Sequence, residues 1–221
     1  MSRSQIGPFP ALPAALLACS LIAALLTACN GGRSGGEGRT SVRTSYHGVV
    51  LGTPLPKPAF TLTDTSGEPF DFQQETEGYL TLLFFGYTHC PDICPVHLAN
   101  LAAVLDQLPP KVTDRVKVVF VTTDPERDTP AVLRAWLDHF DREFIGLTGT
   151  PDAVRAAQRA AGVAPAVKEG AGGEDYAVGH AAQVIAYTPD NLAHIVYPFG
   201  IRQAGWAADL PRLVEGWEAP S

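Results

Sequence analysis

"LLFFGYTHCPDICPVHLANL", residues 82–101, joins an apolar run to a helical pattern across a pair of cysteines. The continuous apolar run from Leu80 to Gly86 predicts a buried strand. Pro95 to about Leu108 predicts a helix with Leu98, Leu101, Leu105 and Leu108 along one side. Between them lie Cys90 and Cys94, each followed by a proline and flanked by His89 and His97. Proline suits the first position of a helix, where its missing N–H would have had no partner. Thr129-Pro130 and Thr150-Pro151 open two further helices in the same way, with threonine, a normal N-cap, in front. Cys94 then takes the N-cap slot, where free amides and the positive end of the helix favour a thiolate. A partly exposed, electropositive thiolate pair is expected.

Ala59 to Thr63 predicts a short strand before the buried one, and Val116 to Thr122 a second buried strand. Pro130 to Phe140 follows as a helix, then a strand near Phe144 to Leu147 and a helix from Pro151 to Ala161, stopped by Gly162. A Gly-rich insertion, "KEGAGGEDY", precedes a hairpin of Ala182 to Tyr187 and Leu192 to Tyr197. A last helix covers about Gln203 to Trp217, with Pro211 placed to kink it. This order predicts an α/β, thioredoxin-like fold: a central mixed sheet flanked by helices. In that fold the reactive cysteines sit where the first central strand turns into its helix.

The chain has 221 residues, enough for one good core and short for two domains. Its net charge of −7 argues against a nucleic-acid partner, which demands a basic face. Residues 1–28 read as a lipoprotein signal peptide: Arg3, an apolar run from Ala11 to Ala28, then Leu26-Thr27-Ala28-Cys29. That ending resembles a bacterial lipobox, in which Cys29 would carry the lipid. An uncleaved signal-anchor helix is the alternative, since the run matches the ~18 residues that span a bilayer. Either places the domain outside the cytoplasm on a membrane tether, facing the periplasm or the extracellular side. Residues 29–48 then form a flexible Gly/Ser-rich tether, and 49–221 the folded domain.

With Cys19 in the signal and Cys29 lipidated, only Cys90 and Cys94 remain for chemistry. A structural disulfide is the weakest explanation, because so short a loop removes little unfolded-state entropy. Dithiol oxidoreductases use the tighter Cys-x-x-Cys. Three intervening residues can close a disulfide and can also span a metal. Two thiolates suit Cu(I), and an added imidazole admits Cu(II). Structural zinc wants four ligands. The one methionine is Met1, which excludes a thioether site in the mature chain.

"FFGYTHCPDICP", "VVFVTTDPERDTP" and "EDYAVGHAAQVIAYTPDN" together resemble the Sco/SenC family of copper-binding assembly factors for cytochrome oxidase. The likeness runs over roughly residues 49 to 217. It implies a thioredoxin-like fold holding one copper ion through Cys90, Cys94 and His180. It further implies a role as a metallochaperone for the dinuclear copper site of cytochrome c oxidase. The partner would be the copper-bearing subunit or another copper chaperone. The alternative is a thiol–disulfide reductase acting on the cysteines of that site, with Cys90 and Cys94 as its redox pair. Peroxidase chemistry fits poorly, because Thr88 and Cys90 do not match a Thr-x-x-Cys spacing. One departure stands out: the family usually has Asp-His where this chain has Gly179-His180.

Among the other histidines, His97 is the main rival, sharing a helix face with Cys94. It reads as a half-exposed helical residue. His89 reads as packing or outer support, and His47, His139 and His194 as surface or edge residues. Asp124, Glu126, Arg127 and Asp128 read as a polar strand-to-helix loop bordering the site, and Asp92 as local negative charge.

Overall fold

The structure, a computed structural model, describes residues 45–169 and 176–220. The segments expected to be signal peptide and tether, Cys29 included, lie outside the described residues up to residue 44. The strands are β1 (Val49–Pro56), β2 (Thr61–Asp64), β3 (Pro69–Asp71), β4 (Leu80–Gly86) and β5 (Val116–Thr122). They continue as β6 (Ile145–Thr148), β7 (Val167–Glu169), β8 (Ala177–Gly179), β9 (Val184–Tyr187) and β10 (Leu192–Tyr197). The helices are α1 (Phe72–Glu75), α2 (Ile93–Leu105), α3 (Pro110–Thr113), α4 (Pro130–Leu137), α5 (Pro151–Ala160) and α6 (Gln203–Leu213).

One mixed sheet runs in the order β1-β10-β9-β4-β5-β6-β2-β3. β4, β5 and β6 are parallel, and β9 pairs antiparallel to β4. This is the thioredoxin-like arrangement that the element order predicts. β4 is buried along its whole length because helices cover both faces of the sheet. Leu80, Leu82 and Phe84 pack with Leu98 and Leu101 of α2, Leu133 of α4 and Trp206 of α6. The alternate residues Leu83 and Phe85 pack with Phe72 of α1 and Val154 of α5 on the other side. Each such leucine or phenylalanine stabilises the fold by roughly 1.5–3 kcal/mol through removal from water.

α4 and α5 open as expected, with the side chains of Thr129 and Thr150 accepting from the amides of Val132 and Ala153. α6 ends at Leu213, two residues after Pro211, rather than reaching Trp217. The Gly-rich insertion is bracketed by β7 and β8, which pair antiparallel as a separate two-stranded sheet. That small hairpin leads directly into His180.

Candidate metal centre

α2 does not begin where Pro95 suggests. Its N-cap is Asp92, so Cys94 is the second helical residue and Pro95 the third. Proline is tolerated there because no first-turn amide has an intrahelical acceptor. The Asp92 side chain makes no capping bond. The sulfur of Cys90, not that of Cys94, lies at the open end of the helix.

The expected pair of thiolates is instead an unequal pair, with Cys94 the thiol that stays protonated. Hydrogen bonding from the Cys94 side chain pulls the Cys90 pKa down to about 4, aided by the backbone N–H groups of Cys94 and Asp92 and opposed by burial. Cys94 is fully buried, and that burial, with the adjoining Cys90 sulfur, holds its pKa well above the usual thiol range. Cys90 is the thiolate and Cys94 the proton carrier. The expected partly exposed pair is instead a buried one, since Cys90 is itself only 9% exposed. Cys94 fits against the sheet because Gly86, at the end of β4, has no side chain to occupy its place.

His180 closes the cluster. Its Nε2 lies 3.5 Å from Cys94 Sγ, while its Nδ1 lies 2.9 Å from the Ala181 carbonyl oxygen. A carbonyl can only accept, so Nδ1 carries the proton and Nε2 presents its lone pair to the sulfurs. The potential ligand atoms of Cys90, Cys94 and His180 all lie within 4.8 Å of one another. Tyr87 and Phe84 stand edge-on to the His180 ring, at centroid distances of 5.6 and 6.0 Å.

His97 is buried rather than half-exposed, and its Nε2 donates to the Ala182 carbonyl at 2.9 Å. Its ring packs between Phe84 and Phe199. That engagement leaves it outside the donor cluster. His89 lies beside Thr88 and Asp128. His194 is 8% exposed and bound to Asp190, so it is not a surface residue. Asp128 is buried and accepts from the Thr88 amide and from the hydroxyls of Thr88 and Thr122. It braces the turn that carries Cys90. Asp124, also buried, pairs with Arg127 and accepts from the Tyr176 hydroxyl at 2.6 Å. The Tyr176 and Tyr87 connections were not legible in the sequence, because they depend on how the β7–β8 hairpin folds back.

The profile of the SCO1/SenC family matches residues 52–215. The chain belongs to the SCO1/SenC family. Apo Sco1 of Thermus thermophilus is 36% identical and aligns with a TM-score of 0.69, covering 76% of this chain and 97% of that one. Bradyrhizobium japonicum ScoI, solved with copper bound, is 34% identical with a TM-score of 0.64, covering 72% and 99%. Mitochondrial SCO2 of Saccharomyces cerevisiae is 39% identical over 120 residues, 54% of this chain but 38% of the yeast protein's length. Within the SCO1/SenC fold, two soft sulfur donors and one imidazole form a set suited to copper in either common oxidation state. Three converging donors and a nearby buried wall of aromatic rings also suit a low-coordinate ion.

Proposed function

We propose that this chain is an extracytoplasmic copper carrier, held at the membrane by a lipid on Cys29, that binds one copper ion through Cys90, Cys94 and His180. The observation that carries the reading is the convergence of these three donors within 4.8 Å in a family with a copper-bound relative. Cys90 supplies a thiolate already deprotonated at neutral pH. Cys94 must release its proton on loading, so uptake liberates protons and requires both thiols reduced. His180 offers Nε2 with its tautomer set by the Ala181 carbonyl. Among the described residues three donors converge, so an incoming thiolate can join and draw the ion away by ligand exchange. The recipient is the dinuclear copper site of cytochrome c oxidase, reached directly or through another copper chaperone, as the family resemblance implies.

A second reading rests on the unequal thiols. Cys90 thiolate attacks one sulfur of an oxidised partner, forming a mixed disulfide and releasing one partner thiolate. Cys94 then attacks the Cys90 sulfur, releasing the second partner thiol and leaving Cys90–Cys94 oxidised. This chemistry needs no His180.

Copper titration of the reduced full chain separates the two. The carrier reading expects one ion per chain, with His180→Ala weakening binding and altering the spectrum. Unchanged binding in His180→Ala, together with a mixed disulfide trapped by Cys94→Ser, would transfer the assignment to the reductase.

A further inference from the structure

His180 follows a strand that the main sheet does not hold. Among the described residues, β8 pairs only with β7, and this hairpin stands apart from the eight-stranded sheet. Its placement over the cysteine turn therefore depends on side chains. At the entry to β8, Tyr176 donates its hydroxyl to Asp124 Oδ1, and its carbonyl accepts from Arg127 Nη2 at 3.1 Å. The Arg127 guanidinium also lies 3.7 Å from the centroid of the Tyr176 ring and 5.8 Å from that of Tyr87. Inside β8, the Val178 amide donates to the Tyr87 hydroxyl at 3.4 Å, while the Cys90 amide donates to the Tyr87 carbonyl. Tyr87 thus touches the hairpin, His180 and the first cysteine. At β7, Lys168 pairs with Glu126 of the same loop.

We propose that Asp124, Arg127 and Tyr176 form a latch that fixes where His180 stands relative to Cys90 and Cys94. Arg127 and Tyr176 are positioning residues for the metal centre. The polar loop after β5 then has a task beyond leading into α4. Its buried Asp124 anchors Arg127, the flat guanidinium clamps the start of β8, and three strand residues carry that placement to His180. The inference rests on the copper-carrier reading, in which His180 is a ligand.

The test uses the reduced full chain with Arg127→Lys, Arg127→Ala, Tyr176→Phe, Tyr176→Ala and His180→Ala, after circular dichroism has established folding. Cu(I) affinity is measured by competition and imidazole binding by the nitrogen splitting in the Cu(II) resonance spectrum. The His180 ring is followed by NMR in the metal-free protein. Tyr176→Ala and Arg127→Ala are expected to lose about 10–100-fold in affinity, the range for residues that support a ligand. They should weaken the nitrogen splitting, keep the sulfur-to-copper absorption and broaden the metal-free His180 signal. Arg127→Lys should not restore the splitting, because an ammonium lacks the planar fork. Tyr176→Phe, which keeps the ring over Arg127, should fall between. Should Arg127→Ala fail to fold, Tyr176→Ala decides. A folded Tyr176→Ala with wild-type affinity and splitting, beside a His180→Ala that loses both, overturns the latch alone. A His180→Ala that loses neither overturns the ligand assignment and the latch with it.

Discussion

The sulfur of Cys94 occupies the space that a side chain on Gly86 would need, and a Cβ there would also stand 2.8 Å from the Phe120 ring. Neither neighbour is the loose end of an exposed side chain, since both residues are fully buried. Gly86→Ala is therefore expected to destabilise the domain by about 1–3 kcal/mol through overpacking. It should also displace Cys94 from the donor cluster. Urea denaturation with copper stoichiometry checks both, and a variant of normal stability that loads one ion would contradict the packing.

Reactivity should follow the inequality of the two thiols. With its pKa near 4, Cys90 is a thiolate throughout the range from pH 6 to 8, so its alkylation rate should be nearly flat there. Cys94, buried and held protonated, should be protected in the folded chain. Iodoacetamide labelling of reduced protein, read by mass spectrometry, checks this; preferential labelling of Cys94 would reverse the assignment.

Lys57 gives a stability signature away from the site. It is 3% exposed, and its Nζ donates to the Thr76 carbonyl and to the hydroxyls of Thr76 and Thr81. Burial lowers its pKa to about 8, against 10.5 for the ordinary group. The unfolded chain then binds the proton more tightly, so this residue's contribution to stability rises as pH climbs between those values. Relative to Lys57→Met, wild type should gain up to about 2 kcal/mol between pH 7 and pH 9.5. The check is urea melts of both proteins at the two pH values; a constant difference would mean Lys57 does not titrate in that window.

Gly179, where the family resemblance implies an aspartate, has a neighbour in the space a side chain would take. A Cβ on Gly179 would stand 2.5 Å from Glu169 Oε1, so the end of an exposed, flexible glutamate fills that space. Gly179→Asp should push Glu169 aside and set two carboxylates together. A modest loss of stability is expected, of about 0.5 kcal/mol, with recovery in the double variant carrying Glu169→Gln. Thermal melts of the single and double variants test this, and a larger loss that Glu169→Gln leaves unrelieved would point to the backbone instead.

What the sequence disclosed follows from how local each signal is. β4 was legible because seven consecutive buried residues leave one reading for such a run. The starts of α4 and α5 were legible because Thr-Pro caps a helix with local atoms alone. The start of α2 was not: Pro95 is compatible with any first-turn position, and Asp92 caps without a side-chain bond. Which cysteine holds the proton depends on which sulfur meets the helix amides, a matter of three-dimensional placement. No local pattern marks β1, which carries Gly52, Pro54 and Pro56 and owes its form to pairing with β10. Nothing near His97 in sequence announces Phe199 and the Ala182 carbonyl, which cover it.

The histidine pair also yields opposite mutational outcomes. His97→Ala removes a buried ring and its hydrogen bond, so a cost of about 2–4 kcal/mol in stability is expected, with the copper spectrum preserved. His180, less buried and at the end of the small hairpin, should show the reverse pattern. Paired denaturation and absorption measurements on the two variants check the division.

X-ray absorption at the copper edge of the loaded, reduced full chain reads the ligand set itself. Two sulfur scatterers and one imidazole are predicted for wild type, with the imidazole pattern lost in His180→Ala and kept in His97→Ala. An imidazole pattern that survives His180→Ala, or a site with fewer than two sulfurs, would contradict the account.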